Sequence, residues 1–316
     1  MNRRVIKVGT RQSQLALTQT GQVIAHLEQL CEEHQLPYTF EVHKIVTKGD
    51  QILNVTLSKV GGKGLFVKEI EQALLDGVID IAVHSMKDMP YEFPAGLING
   101  AIPKRLTAQD CLIMKEGTSF EQLPQGAKVG TSSLRRSSQL KAARPDINLQ
   151  WIRGNIDSRI KKLETEGYDA IVLAAAGLTR MGWNDRISAY ISEELCVPAV
   201  GQGALGVQCR EDDEAVVSLL SLYNDADSAK AVNAERSFLG TLHGGCQVPI
   251  GAHATIKETS TSGEQVIELT GMIGSPDGTK ILKEVRTGTD AIALGEQVAQ
   301  LLLNAGGKEI LAEIEV

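Results

Sequence analysis

Val129-Gly130-Thr131-Ser132-Ser133-Leu134-Arg135-Arg136, residues 129–136, runs from a strand end through hydroxyl side chains into a helix start that carries paired guanidinium groups. A helix N-terminus offers unpaired N–H groups and the positive end of its dipole, so hydroxyls and arginines there suit a carboxylate or phosphate. The same residues also fit an N-cap serine before two solvated arginines. What bears on the fold is an echo elsewhere in the chain. Val8-Gly9-Thr10-Arg11 matches Val129-Gly130-Thr131-Ser132, and Asp80-Ile81-Ala82-Val83 matches Asp169-Ala170-Ile171-Val172. Each strand of the second pair follows a helix that ends in glycine, Gly77 or Gly167. The echo points to two similar α/β domains.

Outward from these anchors, the first 200 residues alternate β-branched runs with helical patterns, the rhythm of βα units and a largely parallel sheet. Val5–Gly9 reads as a strand, and Ala16, Thr20, Val23, Ile24, Leu27 and Leu30 predict a helix from Ser13 to the Glu32 region. Phe66, Ile70, Ala73 and Leu74 repeat the helical pattern before a strand at Ile79–His84. From about residue 222 the character changes. A helix at Ala229–Leu242 precedes three strand candidates, Val248–Ile256, Gln265–Ile273 and Thr279–Thr287, separated by hairpin signals. A closing amphipathic helix with Ile292, Leu294, Val298, Leu301 and Leu302 on one side completes a small antiparallel α+β domain.

The chain has 316 residues, 42% hydrophobic and 22% charged, as expected of two or three folded domains. A net charge of −7 and 4% aromatic residues argue against general nucleic-acid binding, which needs a basic face and stacking rings. The longest apolar run, Ala170–Leu178, has nine residues, too few to span a bilayer. Arg3, Arg4, Lys7 and Arg11 among strand-like residues do not form a secretory signal, so a cytoplasmic location is expected. Cys31, Cys111, Cys196, Cys209 and Cys246 are scattered and never spaced CxxC, which predicts free thiols rather than a disulfide framework. The six histidines contain no HExxH pair, so no metal site is expected.

Other candidate groups recur where strands end. Lys87 and Asp88 follow an apolar strand, where ligands bind in open α/β sheets, and His84 reads as a satisfied strand residue rather than a base. Arg153 and Arg180 stand at the ends of apolar strands, with Arg159 further along the following helix. Lys59-Val60-Gly61-Gly62-Lys63-Gly64 is not a P-loop and in isolation reads as a surface loop. Arg11, Lys59, Lys63, Lys87, Arg135, Arg136, Arg153, Arg159 and Arg180 account for nine of the 32 basic residues, leaving 23 against 39 acids. An acidic protein with a cationic cleft suits a small polycarboxylate. Finally, His243-Gly244-Gly245-Cys246 sets a thiol on a glycine-rich turn, where His243 can stabilise a thiolate if its ring comes near.

Taken in order, these motifs resemble the porphobilinogen deaminase (hydroxymethylbilane synthase) family. The likeness runs from Thr10-Arg11-Gln12-Ser13 through Lys59–Gly64, His84–Pro90, Gly130–Arg136, Arg153-Gly154-Asn155 and Pro198–Gly203 to Gly244–Pro249. It implies a cytoplasmic, monomeric transferase of tetrapyrrole (porphyrin and haem) biosynthesis that joins four porphobilinogen molecules head to tail and releases ammonia. It also implies a dipyrromethane cofactor attached through Cys246. Asp88 matches the family's essential aspartate, placed to stabilise the azafulvenium cation left by ammonia loss. Lys87, Asp88, Thr131, Ser132, Ser133, Arg135 and Arg136 match cofactor-binding positions. Arg11, Ser13, Lys59, Arg153, Arg159 and Arg180 match substrate-binding ones, with Arg11 and Arg153 also at the reacting centre.

The family fold implies two doubly wound, type II periplasmic-binding-protein-like α/β domains around a cleft, 1–103 with 204–221 and 104–203. A third, α+β domain at 222–316, with a three-stranded antiparallel sheet, bears the cofactor-carrying cysteine on a loop, and Gln202 is the implied hinge. Two departures stand out: Gln109 replaces a usual arginine in Lys104–Asp110, and His243 replaces a frequent acid. A solute-binding or sensing protein would share the fold and the cations but has no use for Asp88 and Cys246. A thiol-dependent hydrolase would need a base and an orienting group beside Cys246, and only His243 is near in sequence.

Overall fold

The computed structural model describes residues 3–51, 67–244, 248–258 and 265–314. The chain forms two compact units, Met1–Arg105 with Ala204–Ala229 and Leu106–Gly203 with Lys230–Val316.

In the first unit, β1 (Arg4–Arg11) buries Ile6 and Val8 completely and leads into the helix Gln14–Glu33. Ser13 caps that helix, its Oγ accepting the Ala16 N–H at 3.3 Å, and Val23, Leu27 and Cys31 form the buried stripe. The strands β2 (Tyr38–Ile45) and β3 (Ile81–Ser85) flank β1 in parallel. Beyond β3 lie β10 (Leu205–Arg210) and β4 (Leu97–Ala101), each antiparallel to its neighbour, so the order is β2-β1-β3-β10-β4. β2 was not among the expected strands. It is an edge strand with no fully buried residue: Tyr38, Phe40 and Val42 alternate with polar residues, yet of these only Tyr38 and Phe40 pack on the core while Val42 is 44% exposed.

The second unit contains a sheet of the same plan. The strand β6 (Lys128–Gly130) runs parallel to β7 (Asn148–Gln150) and β8 (Ala170–Ala174). The antiparallel members are β5 (Asp110–Met114) and β9 (Ala189–Tyr190), which gives the order β7-β6-β8-β5-β9. The sequence echo holds residue by residue. Val8 and Gly9 pair with Ile81 and Ala82, as Val129 and Gly130 pair with Ala170 and Ile171. Asp80 receives the Lys7 backbone N–H at 2.8 Å, and Asp169 receives that of Lys128 at 2.7 Å. The glycine of each copy lies against the residue before that aspartate: a Cβ would stand 2.3 Å from Ile79 at Gly9 and 3.1 Å from Tyr168 at Gly130. Two sheets with this order and this reversal in the fourth strand are doubly wound domains of the type II periplasmic-binding-protein plan.

The rest of the second unit is an antiparallel sheet, β11 (Ile250–Glu258), β12 (Gln265–Gly274) and β13 (Ile281–Gly288). The helices Ala226–Thr241 and Ala291–Leu302 supply Phe238, Leu294, Val298 and Leu302 to its core. The closing helix buries Leu294, Val298 and Leu302 as expected, with Leu301 partly buried, but Ile292 is 49% exposed. Ile292 lies two residues, about 200° of rotation, before Leu294 and so faces away from the i, i+4, i+8 stripe.

Candidate active site

At the carboxyl end of the first sheet, Arg11 closes β1 and Ser13 caps the next helix, both half-buried. After β3 the chain makes one 3-10 turn, Met86–Asp88. Met86 and Met89 are buried and anchor the turn, and the Met86 N–H is held by Ala204 O at 3.0 Å. Lys87 and Asp88 are thereby left half-buried at the strand end. Among the described residues no hydrogen bond or ion pair engages the Asp88 carboxylate. The amino end of the sheet is closed by contrast, because Arg4 and Arg210 pair with Asp80 and Asp213.

In the second unit the paired arginines of the helix Leu134–Ala143 turn inward. Arg135 and Arg136 are 4% and 6% exposed and share one fully buried carboxylate, Asp110, at 2.8 and 2.7 Å. Arg135 also donates to Val197 O at 2.8 Å, Arg136 to Val172 O at 3.0 Å, and Gln202 Nε2 to Asp110 Oδ1 at 2.8 Å. Burial alone would raise the Asp110 carboxyl, but Arg135 and Arg136 outweigh it and hold it far below the usual carboxylate range. The solvated-arginine reading is therefore overturned: two cations and one anion leave a buried cluster with one net positive charge. Such an excess is costly unless an anion meets it. Above the cluster, Ser133 caps the helix with its Oγ 3.5 Å from the Arg136 N–H, and Thr131 Oγ1 accepts the Ser133 N–H at 3.2 Å. Ser132 is exposed.

The remaining arginines are placed differently from one another. Arg153 lies three residues beyond the end of β7, half-buried, with its guanidinium 5.9 Å from the centre of the Trp151 ring, and burial lowers its pKa. Arg159 Nε donates to Gly154 O at 2.8 Å from the first turn of the helix Ile156–Thr165. Arg180 does not end a strand: the strand stops at Ala174, and Ala175–Arg180 is a helix whose last arginine donates to Gly203 O at 2.8 Å. The nine-residue apolar run is thus part strand and part helix. Gln202, between Gly201 and Gly203, also holds Ala108 O at 2.6 Å. Lys59 and Cys246 lie outside the described residues. Sequence reasoning missed Asp110 as the arginines' partner; its signal is an acid opening the otherwise apolar strand Asp110-Cys111-Leu112-Ile113-Met114.

The class defined here is a duplicated α/β fold of the periplasmic-binding-protein plan, with a carboxylate that no described residue engages at one sheet end and a buried cationic centre in the other unit. A family model described as porphobilinogen deaminase, dipyrromethane cofactor binding domain, matches residues 6–218, and one described as the porphobilinogen deaminase C-terminal domain matches 229–304. Porphobilinogen deaminase from Paenibacillus macerans is 58% identical over 98% of this chain and 99% of its own length. The same enzyme from Brevibacillus brevis is 57% identical over 98% and 97%, and that from Halalkalibacterium halodurans 54% over 99% and 98%. Among solved structures, a nutrient binding protein from Burkholderia cenocepacia bound to methionine aligns with a TM-score of 0.43 and 16% identity, over 71% of this chain and 93% of that one.

The chain belongs to the porphobilinogen deaminase family. It is an enzyme of tetrapyrrole biosynthesis with a domain that binds dipyrromethane. Among the described residues no helix is long and apolar enough to cross a membrane.

Proposed function

We propose that this chain is a hydroxymethylbilane synthase, converting four porphobilinogen and one water to hydroxymethylbilane and four ammonia, with its dipyrromethane linked through Cys246. The observation that carries this reading is the buried Arg135–Asp110–Arg136 cluster, whose net positive charge beside a capped helix N-terminus fits the carboxylates of acetate and propionate side chains. Thr131, Ser132, Ser133 and Lys87 complete the hold on the cofactor. When bound, the dipyrromethane supplies the nucleophilic pyrrole carbon from which the product chain grows. Arg11, Ser13, Lys59, Arg153, Arg159 and Arg180 bind the acidic side chains of the substrate.

Asp88 is the counter-charge for the cation that develops as ammonia leaves porphobilinogen, and no described residue competes for its carboxylate. Arg11 and Arg153 orient the reacting ring through its carboxylates. A working division into 1–103 with 204–221, 104–203 and 222–316, a hinge at Gln202, a monomeric state and a cytoplasmic location belong to the same proposal.

The test is the intact mass of the purified protein followed by peptide mapping. An excess of two linked pyrrole units on the Cys246 peptide is expected, and Cys246→Ala should lack it. An unmodified chain that gains no adduct on incubation with porphobilinogen would refute the reading. Asp88→Asn is expected to keep the adduct while turnover falls by about a hundredfold or more; wild-type turnover would remove Asp88 from the chemistry.

A further inference from the structure

Beneath the helix Lys68–Leu75, three elements of the first unit place polar groups where a sheet face is ordinarily apolar. Gln208 on β10 is fully buried, His84 on β3 is 4% exposed and Glu71 on the helix is 5% exposed. Gln208 Nε2 donates to Glu71 Oε1 at 3.1 Å. Gln208 Oε1 and His84 Nε2 are both buried and neither makes a hydrogen bond of good geometry, so an acceptor and a ring nitrogen stand unsatisfied beside one another. The register agrees: Gln208 pairs with Ala82 and Gly206 with His84, so Gln208 stands one diagonal step from His84 on the same face. On the other side of β3, the parallel ladder pairs Gly9 with Ala82. Two residues beyond that last pair, Arg11 and His84 stand toward the same face at the carboxyl ends of adjacent strands, and the charge of Arg11 is felt at the ring.

Donor and acceptor roles then locate the proton. Gln208 directs its amide N–H to a carboxylate, which leaves its oxygen for the ring, so the nitrogen facing that oxygen, Nε2, is the protonated one. A neutral ring in that tautomer keeps a lone pair on Nδ1. Burial, with Arg11 nearby, pushes the imidazole down to about 4 and keeps it uncharged at neutral pH.

We propose that His84 is a positioning residue, locked by Gln208 and Glu71 in the Nε2–H tautomer so that Nδ1 accepts from the Arg11 guanidinium and fixes it at the carboxyl end of β1. The inference rests on the reading of Arg11 as a substrate-binding and catalytic group. A neutral acceptor orients an arginine without cancelling its charge. A carboxylate in the same place would cancel it, as Asp110 cancels one of the two charges of the paired arginines in the other unit.

The experiment is long-range 1H–15N correlation on holoenzyme labelled with 15N-histidine, His84 being identified by the signals lost in His84→Asn. A neutral Nε2–H ring, unchanged between about pH 6 and 8, is expected, and Gln208→Met should mix the tautomers. An Nδ1–H ring, or one that titrates in that range, overturns the proposal.

Kinetics give the second arm, because the amide of asparagine can stand in for Nδ1 whereas that of glutamine stands in for Nε2. His84→Asn should hold kcat/KM for porphobilinogen within about threefold, and His84→Gln should lose about tenfold or more. Equal losses in the two variants overturn the proposal. Absence of turnover in the wild-type holoenzyme would defeat the assigned activity instead, and the tautomer would still decide the role of His84.

Discussion

Asp110 holds two buried arginines with one carboxylate, so its removal is among the most damaging single changes available to this chain. Asp110→Asn should lower stability by about 3–5 kcal/mol, measured by urea unfolding, because two buried guanidinium groups are left with an uncharged partner. His84 contributes to acid sensitivity. Its imidazole is held at about 4 against an ordinary 6.5, so on unfolding it takes up a proton that the native state excludes. That stability is fully present above about pH 6.5 and is lost as the pH falls toward 4, by up to roughly 3 kcal/mol. Glu71 acts in the opposite sense, since burial raises its pKa and its carboxylate destabilises the fold as the pH rises. His84→Gln should flatten the loss of unfolding free energy between about pH 6.5 and 4; an unchanged slope would place the acid sensitivity elsewhere. At this scale the sequence revealed residue types and their strand-end positions. It did not reveal that Arg135 and Arg136 point inward, because direction depends on which strand supplies the matching acid.

At the scale of elements, caps and turns were the most legible features. Ser13 and Ser133 begin their helices with extended backbone and side chains that accept an N–H three residues on. Ser133→Ala should cost about 1 kcal/mol in urea unfolding and Ser133→Gly only a few tenths. Equal costs would mean that the hydroxyl acts through something other than the cap. Sequence spacing predicted the helix after Ser13 and the three hairpin strands to within two residues at most ends, since each has a buried stripe or a turn beside it. It missed β2, whose edge position leaves both faces half-wet, and it put Ile292 on the buried side of the last helix. Helix phase is fixed by the neighbour it packs on, here Phe238 and the β12 face, as well as by composition.

On the scale of the whole molecule, the order of crossings decides which strand completes which sheet. β10, which follows the second α/β sheet in the chain, is inserted beside β3 in the first, while β5 completes the second. Gly203, at one crossing, has φ of 86°, and a Cβ there would come within 2.5 Å of Thr107 O and 2.7 Å of Leu106 O. Gly203→Ala should therefore lower the unfolding midpoint, at a cost of about 1–3 kcal/mol; a wild-type midpoint would show that the crossing relaxes freely. By itself the sequence determined the duplicated α/β pattern, the small antiparallel sheet and the family, because register glycines, capping serines and ordered motifs are local and survive as text. Only the tertiary structure decided that Asp110 is shared by the paired arginines, that Arg180 ends a helix, and that Glu71 meets Gln208 beside His84 under a helix. Those relations join residues up to 137 positions apart, and pairing across a sheet is set by burial and strand order, which no local stretch of chain contains.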